Sequence, residues 1–94
     1  MKISGLIWLD EIIEKLRQKH HVDQDEVRNA LTRCSVFRFV EKGHRSGESV
    51  YSALGQTEAG RYLIIVFVHK KDGRALVLSA RDMTKAERRK YAQE

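Results

Sequence analysis

Six apolar residues in a row, Leu63 to Val68 (LIIVFV), make the longest hydrophobic run in this chain. Four of the six are β-branched, and the run is too short for a buried helix, so it predicts a strand covered on both faces. Lys71-Asp72-Gly73 supplies turn chemistry after it, and Arg74 to Arg81 reads as a second strand, which makes the pair an antiparallel hairpin. Two further strands precede this hairpin. Ser35 to Val40 is aromatic and β-branched around Arg38, and Glu48 to Gly55 alternates Val50 and Leu54 on one face with Tyr51 and Ala53 on the other. Glu41 to Gly47 is the polar, glycine-bounded loop between them, and Gln56 to Gly60 closes the next turn.

The N-terminal third carries a different period. Trp8, Leu9, Ile12, Ile13 and Leu16 fall on one helical face opposite Glu11, Glu14, Lys15 and Gln18, which predicts a helix from Trp8 to about Lys19 with Trp8 as a core anchor. Asp23, with Glu26 three positions on, marks the start of a second helix whose buried stripe is Val27, Ala30, Leu31 and Cys34. Ile3 to Trp8 reads as a short strand or an extended lead-in. Thr84-Lys85-Ala86-Glu87 has the spacing of a capping box, so a last helix begins at Thr84. Helices followed by hairpin-linked strands indicate an α+β class: two N-terminal helices packed on a mainly antiparallel four-stranded sheet, with a short C-terminal helix and one sheet face left for a site.

At 94 residues, without proline, repeats or linkers, the chain is expected to form a single domain over residues 1–94. Its charge is uneven. Residues 1–60 hold nine Lys/Arg and nine Asp/Glu, whereas residues 61–94 hold nine and four, so the whole net charge of +5 sits on the last hairpin and helix. That asymmetry favours an anionic partner such as nucleic acid on that side. A lone cysteine, Cys34, excludes an internal disulfide and suits a reducing compartment. No stretch approaches a membrane span, and the N-terminus does not read as a secretory signal, so a cytoplasmic location is expected.

Nucleotide-binding glycine motifs, nucleophile elbows and zinc-site spacings are missing, and His20 and His21 have no nearby ligands to complete a metal set. No metal or other cofactor is expected. What remains is acid–base chemistry from His44, Glu48, Tyr51, Arg61, Arg81 and the Arg88/Arg89 pair. Phosphodiester transfer to an RNA's own 2′-hydroxyl needs a base, an acid and cations on the developing phosphorane charge, and these residue types suffice. Blander roles compete for each: His44 and Arg45 as loop polars, Glu48 as an ion-pair partner of Arg81 or Arg61, Tyr51 as a half-buried strand residue, and His69, Lys70 and Lys71 as strand-end surface.

The closing segment Ser79 to Tyr91, SARDMTKAERRKY, resembles the ending of the BrnT toxin family, S-A-R-x-A-(T/S)-x-x-E-R-x-x-Y. His44-Arg45-Ser46-Gly47-Glu48 is similar to that family's H-S-x-G-E loop, and Gly60-Arg61-Tyr62-Leu63 to its G-R-x-L succession. Lys19-His20-His21-Val22 stands where K-H-G-V is usual, and the likeness spans Trp8 to Tyr91. It implies a RelE-like fold and a metal-independent ribonuclease toxin of a type II toxin–antitoxin system that inhibits translation. It also implies a BrnA-like antitoxin partner, often a ribbon-helix-helix protein, in a toxin–antitoxin hetero-oligomer. Carried over by position, His44, Glu48, Arg61 and Arg81 are the expected catalytic set, and Arg45, Tyr51, Arg88, Arg89 and Tyr91 the expected RNA contacts. The chain departs from the pattern at three places: Val50 replaces a common arginine, Leu9 separates the usual W-D pair, and His21 replaces a glycine. The loss of a cation at Val50 keeps a second reading in view, a catalytically degenerate module of the same fold that only binds RNA or an antitoxin.

Overall fold

The run Leu63 to Val68 lies in the middle strand of a five-stranded sheet. In the computed structural model, which describes residues 1–33 and 36–93, the elements in order are β1 (Gly5–Ile7), α1 (Asp10–Lys15), a π-helical turn (Leu16–His20), α2 (Gln24–Thr32), β2 (Val36–Lys42), β3 (Ser49–Gln56), β4 (Tyr62–His69), β5 (Arg74–Asp82) and α3 (Lys85–Ala92). The sheet order is β1-β5-β4-β3-β2. The three hairpin-linked pairs are antiparallel as expected. The expected four-stranded sheet, however, is corrected to a mixed one of five, because β1 joins β5 in parallel through Gly5↔Arg74 and Ile7↔Leu76. Three residues are too few to show a strand period, so Ile3 to Trp8 left the choice open.

The start of β1 is fixed by the β4–β5 turn. Ser4 donates its backbone N–H to the Gly73 carbonyl at 2.9 Å and its hydroxyl to the Asp72 carbonyl at 3.1 Å. Gly73 has φ +89°, and a Cβ there would meet the Ser4 hydroxyl at 3.1 Å, so both conformation and space call for glycine.

Alternation along β4 sorts the sheet into two faces. Leu63, Ile65 and Phe67 are fully buried under α1, the π-helical turn and α2, with Ala53, Ala75, Val77 and Ala80 beside them. Tyr62, Ile64, Val66 and Val68 face the other way and are half-buried. The prediction of a strand covered on both faces therefore holds for one face only: α3 is short and reaches just one end of the second face, contacting β3.

The first helix is later and shorter than predicted. It begins at Asp10 because β1 keeps the chain extended through Ile7, and Leu9 becomes the cap, with an extended backbone and 42% exposure, outside the buried stripe where it was expected. Trp8 does pack against the core, from the extended link rather than from the helix, and its indole N–H finds no acceptor among the described residues. After Lys15 the helix widens into the π-helical turn, and His21 ends it in the left-handed region at φ +53°.

The second and third helices start where their capping boxes predict. In α2, Glu26 N–H donates to Asp23 Oδ1 at 2.8 Å and Asp23 N–H to Glu26 Oε1 at 3.1 Å, and Val27, Ala30 and Leu31 are buried. Cys34, expected to extend that stripe, and Ser35, expected to open β2, lie outside the described residues. Thr84 caps α3 through reciprocal bonds with Glu87 at 2.8 and 3.2 Å.

Candidate active site

Side chains on the open face of the sheet gather at two ends. At one end a row of cross-strand neighbours, Val50, Val68 and Leu76, forms an apolar floor with Leu78. The β2–β3 loop folds over it and places His44, Arg45 and Glu48 on the rim of a cleft of about 440 Å³, which Lys70 completes from the end of β4. Two backbone bonds shape the loop: Gly43 N–H donates to the Glu48 carbonyl at 2.8 Å, and Glu48 N–H to the Arg45 carbonyl at 3.1 Å. Gly43 approaches so closely that a Cβ would come within 3.0 Å of the Glu48 carbonyl oxygen.

Glu48 does not take up its competing role as an ion-pair partner of Arg81 or Arg61. It pairs instead with Lys70, Nζ to Oε2 at 3.0 Å, with the lysine and glutamate side chains 25% and 10% exposed. The register explains the choice of partner. Ser49 faces His69 across the β3–β4 ladder, so Glu48 and Lys70 continue that pairing by one step beyond the last paired residues. Arg81 is instead opposite Ile64, four residues along β4 from Val68, a separation of roughly 13 Å at the usual strand rise.

The second end belongs to the arginines. Arg81 grips Glu87 through both terminal nitrogens, at 2.9 and 3.0 Å, and donates to the Asp82 carbonyl at 3.0 Å. Hydrogen bonding from Arg81, with help from Thr84, lowers the Glu87 carboxyl to a pKa of about 2, and the same pair raises that of Arg81. Beside it the Arg88 guanidinium lies 4.2 Å from the centre of the Tyr62 ring, and Tyr62 meets Tyr91 edge-on at 6.0 Å. Tyr62, Arg88, Arg89 and Tyr91 together line a shallow depression.

Arg61 is in neither group. Its Nε and Nη2 bond the two oxygens of Asp82 at 2.8 and 3.3 Å, Nη1 bonds Glu26 at 3.0 Å and the His21 carbonyl at 2.7 Å, and Nη2 bonds the His20 carbonyl at 2.8 Å. All five guanidinium N–H groups are thereby used, so a phosphate would have to displace a carboxylate or a helix-end carbonyl. The hydrogen bonds that Arg61 donates to Asp82 and Glu26 raise its pKa, and Arg61 in turn lowers that of Asp82.

Tyr51 is also apart from the cleft. It points to the helix side, stacked on Phe67 at 6.1 Å and edge-on to Phe39 and His69. Its neighbour Val50 is the residue that faces the cleft. The structure thus brings His44, Arg45 and Glu48 together, gathers Arg81, Arg88, Arg89 and Tyr91 at the far end, and leaves Arg61 and Tyr51 elsewhere. Sequence reasoning missed Lys70, read as strand-end surface, and Tyr62, noted only within Gly60-Arg61-Tyr62-Leu63. The strand alternation carried a signal for Tyr62, since it falls out of phase with Leu63, Ile65 and Phe67.

Among the described residues no group of three or more His, Cys, Asp or Glu is placed to hold a metal ion, and no helix is long and apolar enough to cross a membrane. A family model described as the ribonuclease toxin BrnT of a type II toxin–antitoxin system matches residues 8–87. Comparison with curated proteins returned no match.

Proposed function

Because the chain belongs to the BrnT family of type II toxin–antitoxin ribonuclease toxins, with an RNA target and a protein antitoxin as its partners, we propose that it cuts RNA internally at the cleft between the β2–β3 loop and the end of β4, without a metal ion. The supporting observation is the convergence of His44, Arg45, Glu48 and Lys70 over an apolar floor, on the same sheet face as the Arg88/Arg89 platform.

In this reading the RNA 2′-hydroxyl oxygen attacks the adjacent phosphorus, a P–O2′ bond forms and the P–O5′ bond breaks. His44 and Glu48 divide the proton work, one accepting the 2′-hydroxyl proton and the other supplying a proton to the departing 5′-oxygen. The products are a 2′,3′-cyclic phosphate and a free 5′-hydroxyl. Arg88, Arg89 and Tyr91 hold the neighbouring strand with Tyr62 as a stacking surface. Arg81, at the same end, has Nε and one Nη2 hydrogen outside its bonds to Glu87 and Asp82 and in this reading offers them to the RNA backbone. Arg61 acts by fixing the strand ends.

Translation inhibition follows if the RNA is messenger or transfer RNA, and the cytoplasm is where such substrates are met. The antitoxin is proposed to be a BrnA-like ribbon-helix-helix protein that forms a hetero-oligomer with the toxin. The direct test incubates the purified protein with end-labelled RNA and EDTA and examines the new 3′ ends. Cyclic phosphate supports the proposal, and intact RNA overturns it.

Val50 favours a second reading, in which the apolar wall marks a module that binds RNA or antitoxin without cutting. Expression of the chain in bacteria separates the two. Growth arrest relieved by His44→Ala with the fold retained supports the enzyme, whereas unimpaired growth with intact cellular RNA supports the module.

A further inference from the structure

The candidate phosphate-binding cations differ in how many donors they have left. Arg61 has none, and Arg81 is clamped on both terminal nitrogens by Glu87. Lys70 meets a single carboxylate oxygen of Glu48, although an ammonium carries three donors. Its anchor is also rigid: its backbone N–H donates to the Arg74 carbonyl at 2.8 Å and its carbonyl accepts from Gly73 N–H at 2.9 Å, closing the β4–β5 turn. Its neighbours across the cleft, His44 and Arg45, ride on a loop. The floor beneath it is hydrocarbon, and charge interactions strengthen where water is excluded.

We propose that Lys70 is the cleft's phosphate-binding cation, donating from its free ammonium hydrogens to a non-bridging oxygen of the scissile phosphate. The inference rests on the RNA-cleavage reading above and deepens it. As the 2′-oxygen bonds to phosphorus and the P–O5′ bond breaks, negative charge grows on the non-bridging oxygens of the five-coordinate phosphorus. An ammonium already fixed beside that position stabilises it without rearranging. The ion pair with Glu48 has two consequences. It keeps the lysine directed over the cleft before RNA arrives, and it keeps the carboxylate beside the phosphate once RNA has bound. Val50 removes nothing from this arrangement, because it lies in the floor and the cation enters from the end of β4.

The test uses a short RNA that the wild-type protein cleaves at one linkage, prepared with an oxygen phosphate and with each of the two phosphorothioate diastereomers at that linkage. Lys70→Ala and Lys70→Gln are expected to lower kcat on the oxygen substrate by about a hundredfold with KM changed little, and Lys70→Arg to recover most of the loss. One phosphorothioate is expected to slow the wild type and to leave Lys70→Ala and Lys70→Gln unaffected, because the contact that sulfur weakens is already gone. A lysine that merely holds Glu48 would leave the sulfur effect intact in these variants, and that result overturns the inference, as does a variant that cleaves at the wild-type rate. Lys70→Gln retains a donor for Glu48, so it keeps the test open should Lys70→Ala misfold. If the wild type cuts no RNA, the cleavage reading falls and takes this inference with it. If the wild type cuts and the variants cut equally well, only this inference falls.

Discussion

Arg61 and Asp82 clasp each other at two points, Nε to Oδ1 at 2.8 Å and Nη2 to Oδ2 at 3.3 Å, and so tie the entry of β4 to the exit of β5. The same guanidinium closes the C-terminal end of the π-helical turn by binding the His20 and His21 carbonyls, and it reaches Glu26 at the start of α2. One side chain thereby joins the helix layer to the sheet. Arg61→Ala is expected to destabilise the protein by about 2 kcal/mol, less than a fully buried network would lose because Asp82 is largely exposed. Urea unfolding followed by circular dichroism measures this. Any loss of RNA cleavage in the variant should follow its loss of folded protein.

A second ion pair makes stability depend on acid. Arg81 holds the Glu87 carboxyl at a pKa of about 2, below its ordinary 4.5. A carboxyl depressed on folding contributes stability that is fully present above its unfolded pKa and is lost as pH falls through the folded one. The window therefore runs from about pH 4.5 down to about 2. Half-exposed Arg81 screens the interaction, so the loss across the window is about 1–2 kcal/mol. Thermal melts of the wild type should fall across it, and Glu87→Gln should flatten the profile, starting from a lower plateau because the capping bond to Thr84 N–H is also weakened.

His21 sits at φ +53°, a conformation that disfavours any residue with a Cβ. His21→Gly should raise stability by up to about 1 kcal/mol, since relief of left-handed strain exceeds the extra chain entropy of glycine in the unfolded state. The melting temperature is expected to rise by about 4–8 °C per kcal/mol for a domain of this size. A lower value would show that the imidazole makes a compensating contact.

RNA binding should carry a steep salt dependence. Arg88→Ala and Arg89→Ala are each expected to lower the slope of log K against log salt by roughly 0.7, the value for one lost single-strand phosphate contact. Arg88→Lys should recover the slope and lose affinity, because an ammonium replaces the guanidinium lying over the Tyr62 ring. Filter binding at several salt concentrations with an uncleavable 2′-deoxy substrate reads both quantities.

The local grammar of this chain was legible in its residues. Capping boxes at Asp23 and Thr84 placed two helix starts, and glycine-centred turns placed three hairpins, because those signals act within a few residues. The family likeness in Ser79 to Tyr91 marked out the closing segment for the same reason, a run of neighbours in fixed order. Features that join distant parts of the chain escaped. β1 is strand only because Gly73 and Arg74 offer it an edge, and Leu9 leaves the buried stripe only because that strand holds the chain extended.

The sequence by itself determined the starts of the second and third helices and the four hairpin-linked strands, where the positive charge collects, and which side chains have acid–base or phosphate-binding chemistry. Tertiary structure alone decided which of them meet. Strand pairing set Glu48 beside Lys70 and placed Arg81 opposite Ile64, four residues along β4 from Val68, while the pleat turned Val50 toward the cleft and Tyr51 away from it. The physical reason is that ladder register and pleat parity are properties of pairs of strands. A one-residue change in either reassigns every partner, and no single strand's composition records the choice.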